Sequence, residues 1–278
     1  MSFRSKQYIY HALMISFGFF MLYPILWMIA SSLKTDAEIF GNALSLLPFP
    51  VNWSNYPQGW QSGRVGFAVF FRNSFIITSS VVVGAIFSSS LIAFGFARCK
   101  FALRSFWFAC MLGTIMLPIQ VTLIPQYILF SQIGWVNTWW PLIVPSFLGG
   151  IPFFIFLLVQ FMRGLPYSLD EAGYIDGCST FGVFSRIILP LCKPALVTVA
   201  IFAFMWTWDD FLSPLIYIND ARLYTVSVGI SLFSDPNVMT EWGPLLAMST
   251  LSLLPQFLIF AFFQRYIVEG VATTGVKG

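Results

Sequence analysis

The chain has 278 residues, of which 58% are hydrophobic and only 9% charged, with a net charge of +3. Soluble domains carry about a quarter charged residues, so this chain could not cover its surface in water; a bilayer is the solvent that suits it. The small net charge gives no reason to expect nucleic acid as a partner. The four cysteines form no C-x-x-C pair and there is a single histidine, His11, so neither a zinc site nor a redox motif is indicated.

In chain order, six stretches are long and apolar enough to cross about 30 Å of hydrocarbon: Ile9–Ser31, Phe71–Phe96, Phe106–Ile128, Thr138–Met162, Leu196–Ile218 and Pro244–Phe263. The expected fold class is therefore all-α, a polytopic membrane protein of about six transmembrane helices. Arg4 and Lys6 precede the first stretch as in a signal peptide, but the apolar run is too long and no A-x-A site follows. Proline occurs within several stretches, at Pro24, Pro118, Pro125, Pro145 and Pro152, which membrane helices tolerate when neighbours re-satisfy the freed carbonyls.

Placing the N-terminus inside puts ten cations on the inner side: Arg4, Lys6, Arg98, Lys100, Arg104, Arg163, Arg186, Lys193, Arg265 and Lys277. Lys34, Arg64, Arg72 and Arg222 fall outside. The bias predicts both termini in the cytoplasm. Outer loops then run over Ser32–Phe70 and Asn219–Gly243. The first holds Trp53, Tyr56 and Trp60, which suit either a cover over the mouth of the protein, a contact with an external partner, or an aromatic belt at the bilayer edge. Asn52-Trp53-Ser54 also fits a short glycosylation pattern. In the second span, Ser79, Ser80, Ser88, Ser89, Ser90 and Gly84 are small residues that favour close helix packing, with a polar pathway wall as the other reading. The organisation expected is 1–70 as first span plus external loop and 71–278 as core, with an inner loop at 163–195.

That inner loop carries the most local information. Ser168 and Glu171 fit a capping box that starts a helix at Leu169, with Asp170 and Glu171 in its first turn. Gly177 is placed to end it in a left-handed turn. Ser179 can cap a second helix bearing Phe181, Phe184 and Ile188 on one face, which Pro190 stops or kinks. The outcome is a compact helical knob on the inner face, a handle for another protein or simply a capped amphipathic loop.

Here the sequence resembles the permease subunits of ABC importers. Glu171-Ala172-Gly173, Gly177, Ile187, Leu189 and Pro190 align with their loop motif, EAA, three residues, G, nine residues, I-x-L-P, departing from it only at Gly173. The glycine should loosen the helix by about 1 kcal/mol without blocking a close contact. The resemblance implies that the loop is a coupling helix docking on a separate ATPase. It assigns that role to Glu171, Ala172, Gly173, Gly177, Ile187, Leu189, Pro190 and, within the variable stretch of the motif, Asp176. Met116–Pro125, Gly134–Thr138, Ser32–Thr35 and the ending Gly275–Gly278 resemble the carbohydrate branch, of maltose-transporter type, in its second permease subunit. The resemblance further implies a sugar substrate, a partner permease, a dimer of ATPase subunits, an external solute-binding protein and a bacterial plasma membrane. ATP and Mg²⁺ would sit on the partner ATPase, with no cofactor and no metal held by this chain. In agreement, the chain has no G-x-x-x-x-G-K-[ST] phosphate loop.

The fifth span contains Trp206, Trp208, Asp209 and Asp210, an aromatic–acid group at membrane depth. In a helix Trp206 and Asp210 share a face and could meet a sugar; alternatively Asp209 caps a helix break before Pro214 or pairs with a neighbouring subunit. A stand-alone secondary transporter, using Asp209 and Asp210 as an ion site, is the competing class; an intramembrane enzyme is a third, for which neither H-E-x-x-H nor G-x-S-x-G is present.

Overall fold

A computed structural model describes residues 3–42, 44–63, 65–234 and 241–275. The described residues are helical, with no strand among them, as the composition requires. They divide into two compact units, one of Met1–Val69 with Gly229–Leu254, the other of Phe70–Val228 with Pro255–Gly278.

The first unit holds α1 (Phe3–Ser31), a candidate span whose most apolar 18 residues are none of them buried, and two short helices, α2 (Asp36–Gly41) and α3 (Asn55–Gln61). The loop after α1 folds back on itself through backbone groups. Asn55 donates from Nδ2 to the Ser32 and Lys34 carbonyls, at 2.9 and 2.8 Å, and the Tyr56 hydroxyl meets Ser32 Oγ at 2.9 Å. Trp53 stays exposed beside Tyr56, while Trp60 lies against Phe67. Lys34 is fully buried, its Nζ donating to the Ser45 carbonyl at 2.5 Å.

In the second unit, α4 (Phe67–Arg98), which enters it at Phe70, and the stretch of α7 (Trp140–Leu148) with α8 (Pro152–Gly164) are each long and apolar enough to cross a membrane. Ala85, Ala93 and Ala97 of α4 have almost no exposed surface and share one buried core with Phe154, Leu158 and Met162 of α8. Gly84 and Ser88 pack on Ser146 of α7: a Cβ at position 84 would run into Ser146 and Phe147, and Ser88 Oγ donates to the Ser146 carbonyl at 2.6 Å. For Ser88 and Gly84, packing is therefore the reading that holds.

Two expected spans are not single helices. Phe106–Ile128 is α5 (Arg104–Ile115) followed by α6 (Ile119–Gln132), turned by 100°. Pro118 causes the break: its ring excludes the helical conformation for Leu117, and Pro118 itself is extended, with ψ 134°. Leu196–Ile218 is α12 (Lys193–Asp209), then a break, then α13 (Leu212–Tyr217). An unbroken helix would force the Pro214 ring onto the Asp210 carbonyl four residues back, and the backbone leaves the helical region at Asp210, with ψ 112°. Among the described residues four helices are long and apolar enough to span, or six if α5 with α6, and Thr180–Leu191 with Lys193–Asp209, each count as one bent span. The last is α15 (Trp242–Gly275). The tail residues Val276–Gly278 of the sequence resemblance lie outside the described residues.

Candidate functional site

Between α8 and α12 the chain forms the expected helix, glycine turn and second helix, but by partly different means. The first helix, α9, spans Ser168–Ile175 and makes no side-chain cap, so the Ser168–Glu171 box is not formed. Pro166 starts the turn instead. Its carbonyl accepts from Leu169 N, and that of Tyr167 accepts from Asp170 and Glu171 N. Tyr167, not Ser168, is thus the residue at the cap, and the Glu171 amide that Ser168 would have capped already donates to the Tyr167 carbonyl.

The C-terminus follows expectation. Gly177 has φ +81°; its amide donates to the Tyr174 carbonyl at 3.1 Å and that of Cys178 to Gly173 at 2.9 Å. This pair of bonds is the Schellman arrangement, which only a left-handed residue closes cheaply. Ser179 then caps the second helix, α10 (Thr180–Val183), accepting from Gly182 N at 3.2 Å. Of its expected apolar face, Phe184 and Ile188 are buried and Phe181 stays exposed.

Pro190 neither stops the helix nor kinks it at once. The segment Phe184–Ile188 widens to a π-helix, with the Leu189 amide reaching the Phe184 carbonyl, and helix continues to Leu191. The wider turn relieves the clash of the Pro190 ring with the carbonyl of Arg186. The axis then swings by 77° at Cys192, ahead of Pro194.

Gly173 has a different role from the one the sequence suggests. It is buried, and a Cβ there would lie 2.5 Å from Ile187 Cδ1 and 3.1 Å from Val183 Cγ2. The glycine thus makes room for Ile187, so two motif positions touch each other, and the helix-propensity loss is offset by a tight seam between α9 and the segment after it. Glu171, Ala172 and Asp176 are not in this seam; Glu171 and Asp176 lie exposed on the outer side.

Sequence reasoning missed the anchor of this elbow. Asp170, read as a first-turn acid, is 2% exposed and sits 3.5 Å from Arg98 Nε at the end of α4. Arg98 also donates from Nη2 to the Leu165 carbonyl at 3.0 Å and lies over the Tyr167 ring, whose hydroxyl donates back to the Arg98 carbonyl. Neither carboxylate oxygen of Asp170 has a hydrogen bond within the chain, so the pair is held by charge rather than by directed bonds. The one signal in the sequence was a lone arginine at the end of a span.

At the other end of the unit lies a cavity of about 650 Å³, mostly apolar, with a few polar groups: Asp210, Thr207, Ser213, Tyr217, Gln126 and Thr225. Asp210 sits in the helix break, and its Oδ1 accepts from Ser213 N at 3.1 Å, the capping role expected of Asp209. Trp206 and Asp210 do not face the cavity together. Trp206 instead stacks on Phe154 at 5.1 Å, and Trp208 is buried against Phe75 and Phe204. Asp209 is exposed and accepts from Gln256 Nε2 at 2.6 Å. Of the four aromatic and acidic residues singled out, only Asp210 borders the cavity. Gln126 and Tyr217 are additions; they meet at 3.3 Å, and a glutamine inside an apolar segment was the available signal for the first.

Apolar, proline-bent helices joined by a tightly capped helix–turn–helix elbow are features of a transport permease subunit. The pattern of the family described as "Binding-protein-dependent transport system inner membrane component" matches residues 82–273, and the chain belongs to that family. It is thus an inner-membrane subunit of a transport system, not an enzyme. The chain is 38% identical over 258 residues to the probable ABC transporter permease protein YurM of Bacillus subtilis, covering 92% of this chain and 84% of the relative. It is 33% identical to the trehalose/maltose transport system permease protein MalG of Thermococcus litoralis, covering 92% of each. Its fold matches a chain of a bacterial ABC transporter involved in the import of the acidic polysaccharide alginate, with TM-score 0.84 at 19% identity over 95% and 96% of the two chains.

Proposed function

We propose that the chain is the permease subunit of an ABC importer for a sugar or oligosaccharide, and that the elbow around Glu171–Gly177 couples it to a separate ATPase. Relatives named as carbohydrate permeases support the substrate class. The observation that carries the coupling role is the elbow itself. It is closed by the Schellman turn and the Ser179 cap, anchored by Arg98–Asp170, and carries Ile175 and Phe181 at 86% and 67% exposure. Large apolar side chains exposed on a segment outside the spans are suited to the surface of another protein. A stiff elbow transmits displacement of such a partner; a loose one would absorb it.

In this reading both termini and the elbow face the cytoplasm, where the ATPase dimer binds ATP and Mg²⁺. An external binding protein delivers sugar at the opposite face. A second permease completes the pathway, and Asp210 with its cavity forms part of this subunit's wall. Asp210, Thr207 and Ser213 supply oxygen partners for hydroxyls, and Trp135 and Tyr217 supply ring faces, the combination a sugar needs. As an ion site Asp210 would belong to the competing secondary transporter, which would carry no elbow for an ATPase.

The test is co-purification from the native host followed by Gly177→Val. A valine at φ +81° costs about 1–2 kcal/mol locally. The variant is expected to insert and to assemble, but to lose substrate-stimulated ATP hydrolysis. Uptake at the normal rate, or purification with no nucleotide-binding subunit, would refute the coupling role.

A further inference from the structure

Beside the anchor lies an open cleft of about 720 Å³ lined by Ala97, Lys100, Phe101, Arg104, Arg163 and Tyr167. Three cations border it and no carboxylate does. Among the described residues none of the three has an acidic partner within ion-pair distance; Arg104 donates to the Cys99 carbonyl and Arg163 lies over the Phe108 ring. Three uncompensated charges in one cleft raise the local potential and call for an anion.

Its level in the molecule says which kind. Ala97 is in the last turn of α4, Arg163 in the last turn of α8 and Arg104 in the first turn of α5. The cleft therefore lies where three apolar helices end together, at the depth of lipid headgroups, while the elbow begins only at Pro166. The N-terminus of the twelve-residue α5 has no side-chain cap, and its dipole adds to the attraction for an anion. No residue of α5 is buried, and Phe101, Leu103 and Trp107 are exposed around its start, an apolar surface for acyl chains. We propose that this cleft binds the phosphate-bearing headgroup of an anionic phospholipid. The shape of the site, basic side chains between span ends with apolar surface beside them, is that of headgroup recognition. Because Tyr167 borders the cleft and also stacks under Arg98, the bound lipid would brace the root of the elbow.

This inference stands independently of the coupling role. The chain, with whatever subunits co-purify, is placed in nanodiscs of phosphatidylcholine with or without phosphatidylglycerol, and bound lipid is counted by native mass spectrometry after detergent release. The wild type is expected to retain phosphatidylglycerol selectively. Each neutralised cation should weaken retention about fivefold, and Lys100→Gln, Arg104→Gln and Arg163→Gln together about a hundredfold. Arg104→Lys with Arg163→Lys should hold it within a few-fold, and Lys193→Gln, outside the cleft, should not change it. Lys100 is exposed, so Lys100→Gln alone reads the effect if the triple variant fails to fold. Equal retention by wild type and variants overturns the proposal. So does displacement of the lipid by millimolar inorganic phosphate, which would mark a site for soluble phosphate. Loss of a co-purified protein with lipid retention unchanged would assign the cations to a protein interface and overturn it equally.

Discussion

Removing the carboxylate of Asp170 is the sharpest perturbation available. The Asp170 and Arg98 side chains are 3% and 4% exposed and 3.5 Å apart. At an effective dielectric of about 20 their attraction is about 5 kcal/mol before desolvation is charged against it. Asp170→Ala leaves the Arg98 guanidinium buried with only the Leu165 carbonyl and the Tyr167 ring, a situation that costs about 3–5 kcal/mol. The thermal midpoint in detergent is expected to fall by about 6–12 °C, taking about 2 °C or a little more per kcal/mol lost. Arg98→Met with Asp170→Leu, which removes both charges and keeps the volume, should recover most of that loss, because a buried pair contributes little net stability over apolar side chains. Substrate-stimulated ATP hydrolysis separates stability from coupling. The double variant should be stable yet coupled less well, because only the Tyr167 hydroxyl on the Arg98 carbonyl then ties α9 to the end of α4 by a directed bond. A midpoint lowered by less than about 2 °C in Asp170→Ala, or a double variant as unstable as the sum of the singles, would refute the reasoning.

Two other outcomes follow from the seam and the cavity. Gly173→Ala should cost less than Gly173→Leu, since the methyl meets the Cδ1 end of the Ile187 side chain and, more loosely, Val183 Cγ2, whereas the leucine should destabilise the elbow by about 1–3 kcal/mol; limited proteolysis at the loop reads the difference. Asp210→Asn keeps an oxygen for the Ser213 amide and should leave the thermal midpoint unchanged while lowering sugar uptake, whereas Asp210→Ala also loses the cap, about 1 kcal/mol; equal uptake by wild type and Asp210→Asn would remove Asp210 from the pathway.

What could be read from the sequence was decided over a few residues at a time. The apolar runs select lipid as solvent, and lipid in turn demands helices. Gly177 and Ser179 end and start helices because the relevant bonds reach only three to five residues along the chain. Even the span breaks at Pro118 and ahead of Pro214 are local, though apolar pattern alone ran straight through them.

Only the tertiary structure could say that Asp170 turns inward to Arg98, that Gly173 exists for Ile187, or that Asp210 and not Asp209 reaches a cavity shared with Gln126 and Tyr217. Each depends on helices distant in sequence being brought side by side, and no periodicity within one segment records where another will lie. The chain's own composition settled that it lives in a membrane as helices; packing between those helices settled which charges are buried, which glycine faces a tight seam and where the polar groups meet.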